Sequence, residues 1–177
     1  MNWEAVVFDL YGTLVAPFRM REYIQALEEV ANVLDVDFKS LHGGWIRNFP
    51  RRIRGEFPSV MHNLEAILAD IGVCTKPAVL DVAEKIYKDF TLAGLNPKDG
   101  AAELLEWLRA QGIPVGLVSN CAPDVVDIWD RSRLAGYFSY CAFSCRERMV
   151  KPDPEIYYRT LRGIGSNAEQ DTIHRRR

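Results

Sequence analysis

The sequence is poor in metal ligands. Its 177 residues include three histidines and four cysteines. Cys74, Cys121, Cys141 and Cys145 form no C-x-x-C pair, and the Cys141/Cys145 spacing lacks the two further ligands that zinc needs. They read as reduced thiols of a cytosolic protein. His42 and His62 have no partner spacing, so surface or packing roles are expected. Long apolar runs are also missing: no stretch of about 18 residues would cross a bilayer. The first residues enter a strand pattern without the basic flank of a signal peptide. Charge of one sign is lacking as well. Twenty-two Lys and Arg stand against 24 Asp and Glu, for a net charge of -2. That balance gives no electrostatic reason to expect nucleic acid or an anionic membrane as partner. The one basic cluster, His174 to Arg177, reads as a solvated terminus. No internal repeat or low-complexity segment is visible.

What is present is ordinary globular composition, 48% hydrophobic and 26% charged, in a chain long enough to bury a substantial core. Ala5 to Asp9 predicts a short buried strand, broken at Gly12. Phe18 to Leu34 carries a helical period through Ile24, Leu27, Ala31 and Leu34. Leu41 to Val60, rich in Gly, Pro, Arg and aromatics, predicts a long irregular connection. Helices are expected at Met61 to Ile71, stopped by Gly72, and at Pro77 to Ala93, with proline in the first turn. Another helix spans Ala101 to Ala110. A second strand, Ile113 to Val118, runs into Ser119-Asn120 and a helix opened by Pro123. Phe138 to Ser144 is a third strand candidate, followed by Lys151 and a helix from Pro154 to about Arg162. Strands separated by helices predict an α/β fold, a three-layer parallel sheet with helices on both faces. The helical stretch between the first two strands is too long for a plain crossover. It predicts an inserted helical domain over residues 17–95, with the core built from 1–16 and 96–177.

In open parallel sheets, ligands bind beyond the carboxyl ends of the strands. Asp9, Ser119 and, after a short loop, Lys151 fall at such ends. A single strand-end acid is commonly just a cap for the next helix. Three polar groups in this order are harder to explain structurally.

The stretches VVFDLYGTL (Val6 to Leu14), GLVSN (Gly116 to Asn120) and VKPDPEIY (Val150 to Tyr157) resemble the motifs of the haloacid dehalogenase-like (HAD) hydrolase superfamily, in order and across the chain. The helical insert lies where that family places a cap. The resemblance implies a Rossmann-like core and an aspartate nucleophile, Asp9, that forms a covalent intermediate. Thr13 and Ser119 would hydrogen-bond the transferring group, and Lys151 would stabilise its negative charge. Gly12 would allow the sharp turn, and backbone N–H groups after Asp9 would face an anion. Tyr11, Asn120 and Tyr157 are expected to line the substrate site, with core packing the plainer role for Tyr157. Asp153 fits a structural turn equally well.

Two departures follow. Phosphatases of the family place a second acid where Tyr11 stands. General acid–base help is worth about 10²–10⁴-fold, and a phenol with a pKa near 10 is a poor base at neutral pH. Tyr11 matches the Asp-x-Tyr-Gly-Thr motif of the family's 2-haloacid dehalogenases. Those enzymes also use a cap arginine, for which Arg47, Arg51, Arg52 and Arg54 are candidates, a solvated basic loop being the plainer reading. The second departure is the family's fourth motif. No strand-like run with an acidic pair follows the Lys151 helix, and Ser166 to Asp171 reads as a loop. A Mg²⁺ ion, expected of a phosphatase, would then find Asp9 and the backbone near Tyr11, too few hard oxygen ligands. The first strand would also be left as an exposed edge, as in a fragment or a chain that needs a covering partner. The favoured expectation is a phosphatase-type hydrolase acting on a small phosphorylated metabolite in the cytoplasm, with a homodimer possible. The alternatives are a 2-haloacid dehalogenase and a catalytically inactive binding module.

Overall fold

The computed structural model describes residues 4–17 and 19–166. The basic tail and most of the Ser166 to Asp171 stretch therefore lie outside the described residues. The sheet has three parallel strands in the order β1-β2-β3: β1 Val6–Phe8, β2 Val115–Ser119 and β3 Tyr140–Phe143. Val6 pairs with Val115, and Gly116 pairs with Tyr140. The central strand is buried at every position, as a parallel strand covered on both faces should be. Among the described residues, β1 is paired on one side, by β2.

The helices are α1 Met20–Leu34, α2 Phe38–Arg47, α3 Phe49–Arg52, α4 Val60–Asp70, α5 Pro77–Gly94, α6 Ala101–Ala110, α7 Pro123–Ile128, α8 Ser144–Glu147 and α9 Pro154–Gly163. Apolar residues collect in two large clusters. One surrounds the sheet and includes Leu10, Leu105, Leu117 and Phe143. The other, with Leu27, Trp45, Leu64 and Tyr87, is built by α1, α2, α4 and α5 alone. The chain passes between them along two adjacent segments. Val15 bridges Pro97, and the Lys98 N–H donates to the Leu14 carbonyl at 2.8 Å.

The expected irregular connection from Leu41 to Val60 is corrected by the structure. It holds the last two turns of α2, all of α3, and a run of turns before α4. The glycines and proline that suggested a loop have other uses. Asp37 caps α2 by accepting from the Ser40 N–H at 2.9 Å, a common N-terminal signal. Gly44 is buried, and a Cβ there would come 2.8 Å from the Ile67 side chain, so its smallness lets α2 lie against α4. Pro50 sits in the first turn of α3, where its missing N–H costs nothing.

Candidate functional site

Strand β1 delivers Asp9 to the carboxyl end of the sheet, and the chain turns at once. The Leu10 carbonyl accepts from the N–H groups of Thr13, Leu14 and Val15, and the Gly12 N–H donates to the Val15 carbonyl at 2.9 Å. Gly12 makes this possible with φ of 77°, a backbone region other residues avoid. The Asp9 carboxylate accepts from the Leu10 N–H at 2.8 Å and from Lys151 Nζ at 2.5 Å. Lys151 Nζ also donates to the Val118 carbonyl at 3.2 Å. Asn120 fixes the main chain of that lysine from both sides. Its Oδ1 accepts from the Lys151 N–H at 2.8 Å, and its Nδ2 donates to the Lys151 carbonyl at 3.3 Å. Asp9 and Lys151 are partly exposed to solvent, at 46% and 21% of their side chains. A pair this open contributes about 0–1 kcal/mol to stability, so stability is a weak reason for it to be there.

Ser119 ends β2 fully buried, and its Oγ has no hydrogen-bond partner among the described residues. An orphaned buried hydroxyl is costly unless an acceptor satisfies it. Thr13 is exposed beside the Gly12 turn. Tyr157 packs on the small cluster of Val118, Ala142 and Ile156. Asp153 caps α9, accepting from the Glu155 N–H at 3.0 Å.

Tyr11 is half-buried. Burial, and then the charges of Asp124 and Cys121, push its phenol well above its ordinary value. It is therefore neutral and protonated across the physiological range. Of the expected site residues, it alone lines the cavity of about 610 Å³ between the two apolar clusters, whose wall also includes Pro17, Phe90, Thr91, Asn96 and Lys98. Of the four candidate arginines Arg52 has a distinct setting, and a further group, Asp124, escaped the sequence reading. Arg52 of α3 is buried, with its guanidinium 4.1 Å over the Trp45 ring, Nη1 donating to the Trp45 carbonyl at 2.6 Å, and Nε unpartnered. Asp124, in the first turn of α7, accepts from Thr91 Oγ1 of α5 at 2.7 Å. Nothing in the periodicity separates either from its exposed neighbours. The clue available for Asp124 was its place just beyond Ser119-Asn120.

The donor set for a metal is thin. Among the described residues, no three His, Cys, Asp or Glu side chains gather into a site, and the one carboxylate at the strand ends, Asp9, already holds Lys151. Mg²⁺ prefers one or two carboxylates together with substrate phosphate and water. The described residues do not complete such a site. The four cysteines are free thiols, and among the described residues no helix is long and apolar enough to cross a membrane.

A parallel sheet that carries a lysine-paired aspartate beyond its strand ends, with a helical insertion after the first strand, defines an α/β enzyme of the Rossmann-like class. The chain belongs to the haloacid dehalogenase-like hydrolases, whose family model matches residues 3–173. It is 24% identical over 173 residues to a glyceraldehyde 3-phosphate phosphatase of Pyrococcus abyssi, covering 94% of this chain and 70% of the relative. It is 25% identical over 176 residues to a phosphorylated carbohydrates phosphatase of Thermotoga maritima, covering 96% and 74%. Against haloacid dehalogenase-like hydrolase domain-containing protein 3 of Bos taurus it is 27% identical over 140 residues, 76% of this chain and 56% of the relative. In fold, it resembles a HAD family enzyme from Bacteroides thetaiotaomicron solved with magnesium and inorganic phosphate. The TM-score is 0.66 at 19% identity, over 93% of this chain and 80% of that one. An L-2-haloacid dehalogenase gives a TM-score of 0.55 at 21% identity, over 96% and 76%.

Proposed function

We propose that this chain is a phosphatase-type hydrolase of small phosphorylated metabolites, with Asp9 as nucleophile. The observation that carries the reading is the contact of Lys151 Nζ with the Asp9 carboxylate at 2.5 Å, beyond the strand ends. A cation there neutralises carboxylate and phosphoryl charge together, so the anionic nucleophile can approach an anionic substrate. The Asp9 oxygen attacks phosphorus, the ester oxygen leaves, and water later releases phosphate from the aspartyl group. In this reading Ser119 Oγ and Thr13 donate to phosphoryl oxygens, and Asn120 positions Lys151. Residues 17–95 act as a cap over the core, with the substrate between them. The phosphatase names of two relatives support this choice. A bound Mg²⁺ would supply further charge neutralisation.

The test is phosphate release from p-nitrophenyl phosphate in magnesium-containing buffer. Asp9→Asn should abolish turnover, and an Asn variant as active as the wild type would sink the reading.

A second reading has its own support. Tyr11 leaves the first motif without a second acid, and among the described residues no carboxylate within ion-pair distance balances the buried Arg52 guanidinium. Both features suit a 2-haloacid, since halide leaves without a proton and a carboxylate would pair with the arginine. Chloride release from 2-chloropropionate, with p-nitrophenyl phosphate untouched, would decide for dehalogenation.

A further inference from the structure

Two of the four cysteines meet at the carboxyl end of the sheet. Strands β2 and β3 run in register with Ser119 beside Phe143. Counting two residues on along each segment sets Cys121 opposite Cys145. The Ser144 hydroxyl holds the two segments together at that point. It accepts from the Cys121 N–H at 3.0 Å and donates to the Cys121 carbonyl at 3.2 Å. Both thiols belong to the apolar cluster around the sheet, with Cys121 3% exposed and Cys145 9% exposed. Neighbouring parallel strands lie about 4.7–4.9 Å apart. That is inside the Cα separation of about 4.4–6.8 Å that a disulfide spans. Cys121 also adjoins Asn120, whose side chain grips the main chain of Lys151 at 2.8 and 3.3 Å.

We propose that Cys121 and Cys145 are a modification site, joined as a disulfide by hydrogen peroxide, and that this bond slows the hydrolase by pulling on the Asn120 grip. The effect on turnover rests on the phosphatase reading above; the bond does not. In the first step the Cys145 sulfur attacks one peroxide oxygen and the O–O bond breaks. The departing hydroxide takes up the thiol proton as water, which leaves a sulfenic acid on Cys145. In the second step the Cys121 sulfur attacks the Cys145 sulfur and the S–O bond breaks. Hydroxide leaves with the Cys121 proton as a second water. The two thiols lose two electrons and two protons, and the peroxide is reduced to two waters. An S–S bond is about 2.05 Å long, shorter than a contact between unbonded sulfurs. Cys121 is therefore drawn toward α8, and Asn120 with it.

The setting divides the roles. Cys145 is the more exposed of the two and lies at the seam with the helical unit, where Gly55 packs on its carbonyl. Such a seam favours an oxidant little larger than water over a bulky disulfide. The adjacent Cys121 thiol, and then the main-chain N–H groups of Cys145 and Arg146, lower the Cys145 thiol against burial and the Asp124 charge. The thiolate is the nucleophile, so Cys145 reacts first. Burial pushes the Cys121 thiol well above its ordinary value, which suits the thiol that resolves the sulfenic acid. The other two cysteines differ. Burial pushes Cys141 up to about 12, and Cys74 is exposed in the segment between α4 and α5.

The experiment treats the full chain carrying Cys74→Ser with hydrogen peroxide and maps its peptides by mass. The expected product is a Cys121–Cys145 linked peptide pair, lighter by two hydrogens and separated again by dithiothreitol. Turnover of p-nitrophenyl phosphate should fall on the order of 10²-fold, as expected of a misplaced catalytic group, and recover with dithiothreitol. Cys145→Ala should keep its turnover in peroxide. Cys121 and Cys145 peptides that stay unlinked overturn the proposal, and so does a linked chain with unchanged turnover. A reduced chain inert toward the ester sinks the phosphatase reading, and the linked peptides then decide the modification site by themselves. If Cys145→Ala does not fold, Cys121→Ala takes its place: dimedone should trap Cys145 as the sulfenic acid, and an unlabelled Cys145 overturns the proposal.

Discussion

Replacing Gly55 with alanine would set a methyl carbon 1.9 Å from the Cys145 carbonyl oxygen and 3.0 Å from its carbon. Gly55 lies in the turns between α3 and α4, and Cys145 lies at the start of α8, so a segment of the helical unit here touches core backbone. A carbonyl cannot swing aside as a side chain can. Gly55 also has φ of 72°, where a side chain costs about 1–2 kcal/mol. Gly72 is a matched control: its φ is also 72°, yet an added Cβ would meet nothing within 4 Å. Overpacking adds about 1–3 kcal/mol. The expected costs are therefore about 2–5 kcal/mol for Gly55→Ala and about 1–2 kcal/mol for Gly72→Ala. A chain of this size loses about 2–4 °C per kcal/mol. Melting points should fall by ~4–20 °C and ~2–8 °C respectively, read by scanning calorimetry against the wild type. Equal shifts in the two variants would refute the contact as a determinant of stability.

Lys151→Met should lower kcat/KM by ~10²–10³-fold through lost charge stabilisation, with little change in melting point because the pair with Asp9 is solvent-exposed. Parallel losses of activity and stability would argue for a merely structural lysine. Asp124 also has a pH signature in stability. Its folded pKa is raised, so its contribution is fully present below the ordinary carboxylate range and is lost as pH rises through the folded value. Asp124→Asn escapes that loss. Its stability relative to wild type should therefore grow from about pH 4 to pH 8 in urea melts, and a constant difference would contradict the raised pKa.

The strand-end logic was legible because it depends on local order. An apolar run, then an acid, then Gly12 can be read from adjacent residues, and so can Ser119-Asn120 and Lys151-Pro152. Period and capping likewise gave α4, α5, α6 and α9 to within a residue or two. The segment from Leu41 to Val60 was misread because composition cannot tell a loop glycine from one that admits a neighbouring side chain, as Gly44 admits Ile67. The burial of Arg52, one of four candidate arginines, and of Asp124 was hidden for a related reason. A charge is assumed to face water until the fold buries it, and their burial depends on α3, α5 and α7 meeting across long sequence separations. Tyr157 packs on Val118, Ala142 and Ile156, the plainer of the two roles its motif position allowed.

The contact between Asp9 and Lys151 joins positions 142 apart. Ribosomes add about 5–20 residues each second, so roughly 7–30 s separate the emergence of the carboxylate from that of its lysine. During that interval the first strand has been made and its countercharge has not. The Asn120 clamp must wait as well, because it grips the main chain of that same lysine. The pair can therefore form only after all three strands have been synthesised, since Lys151 follows the third of them.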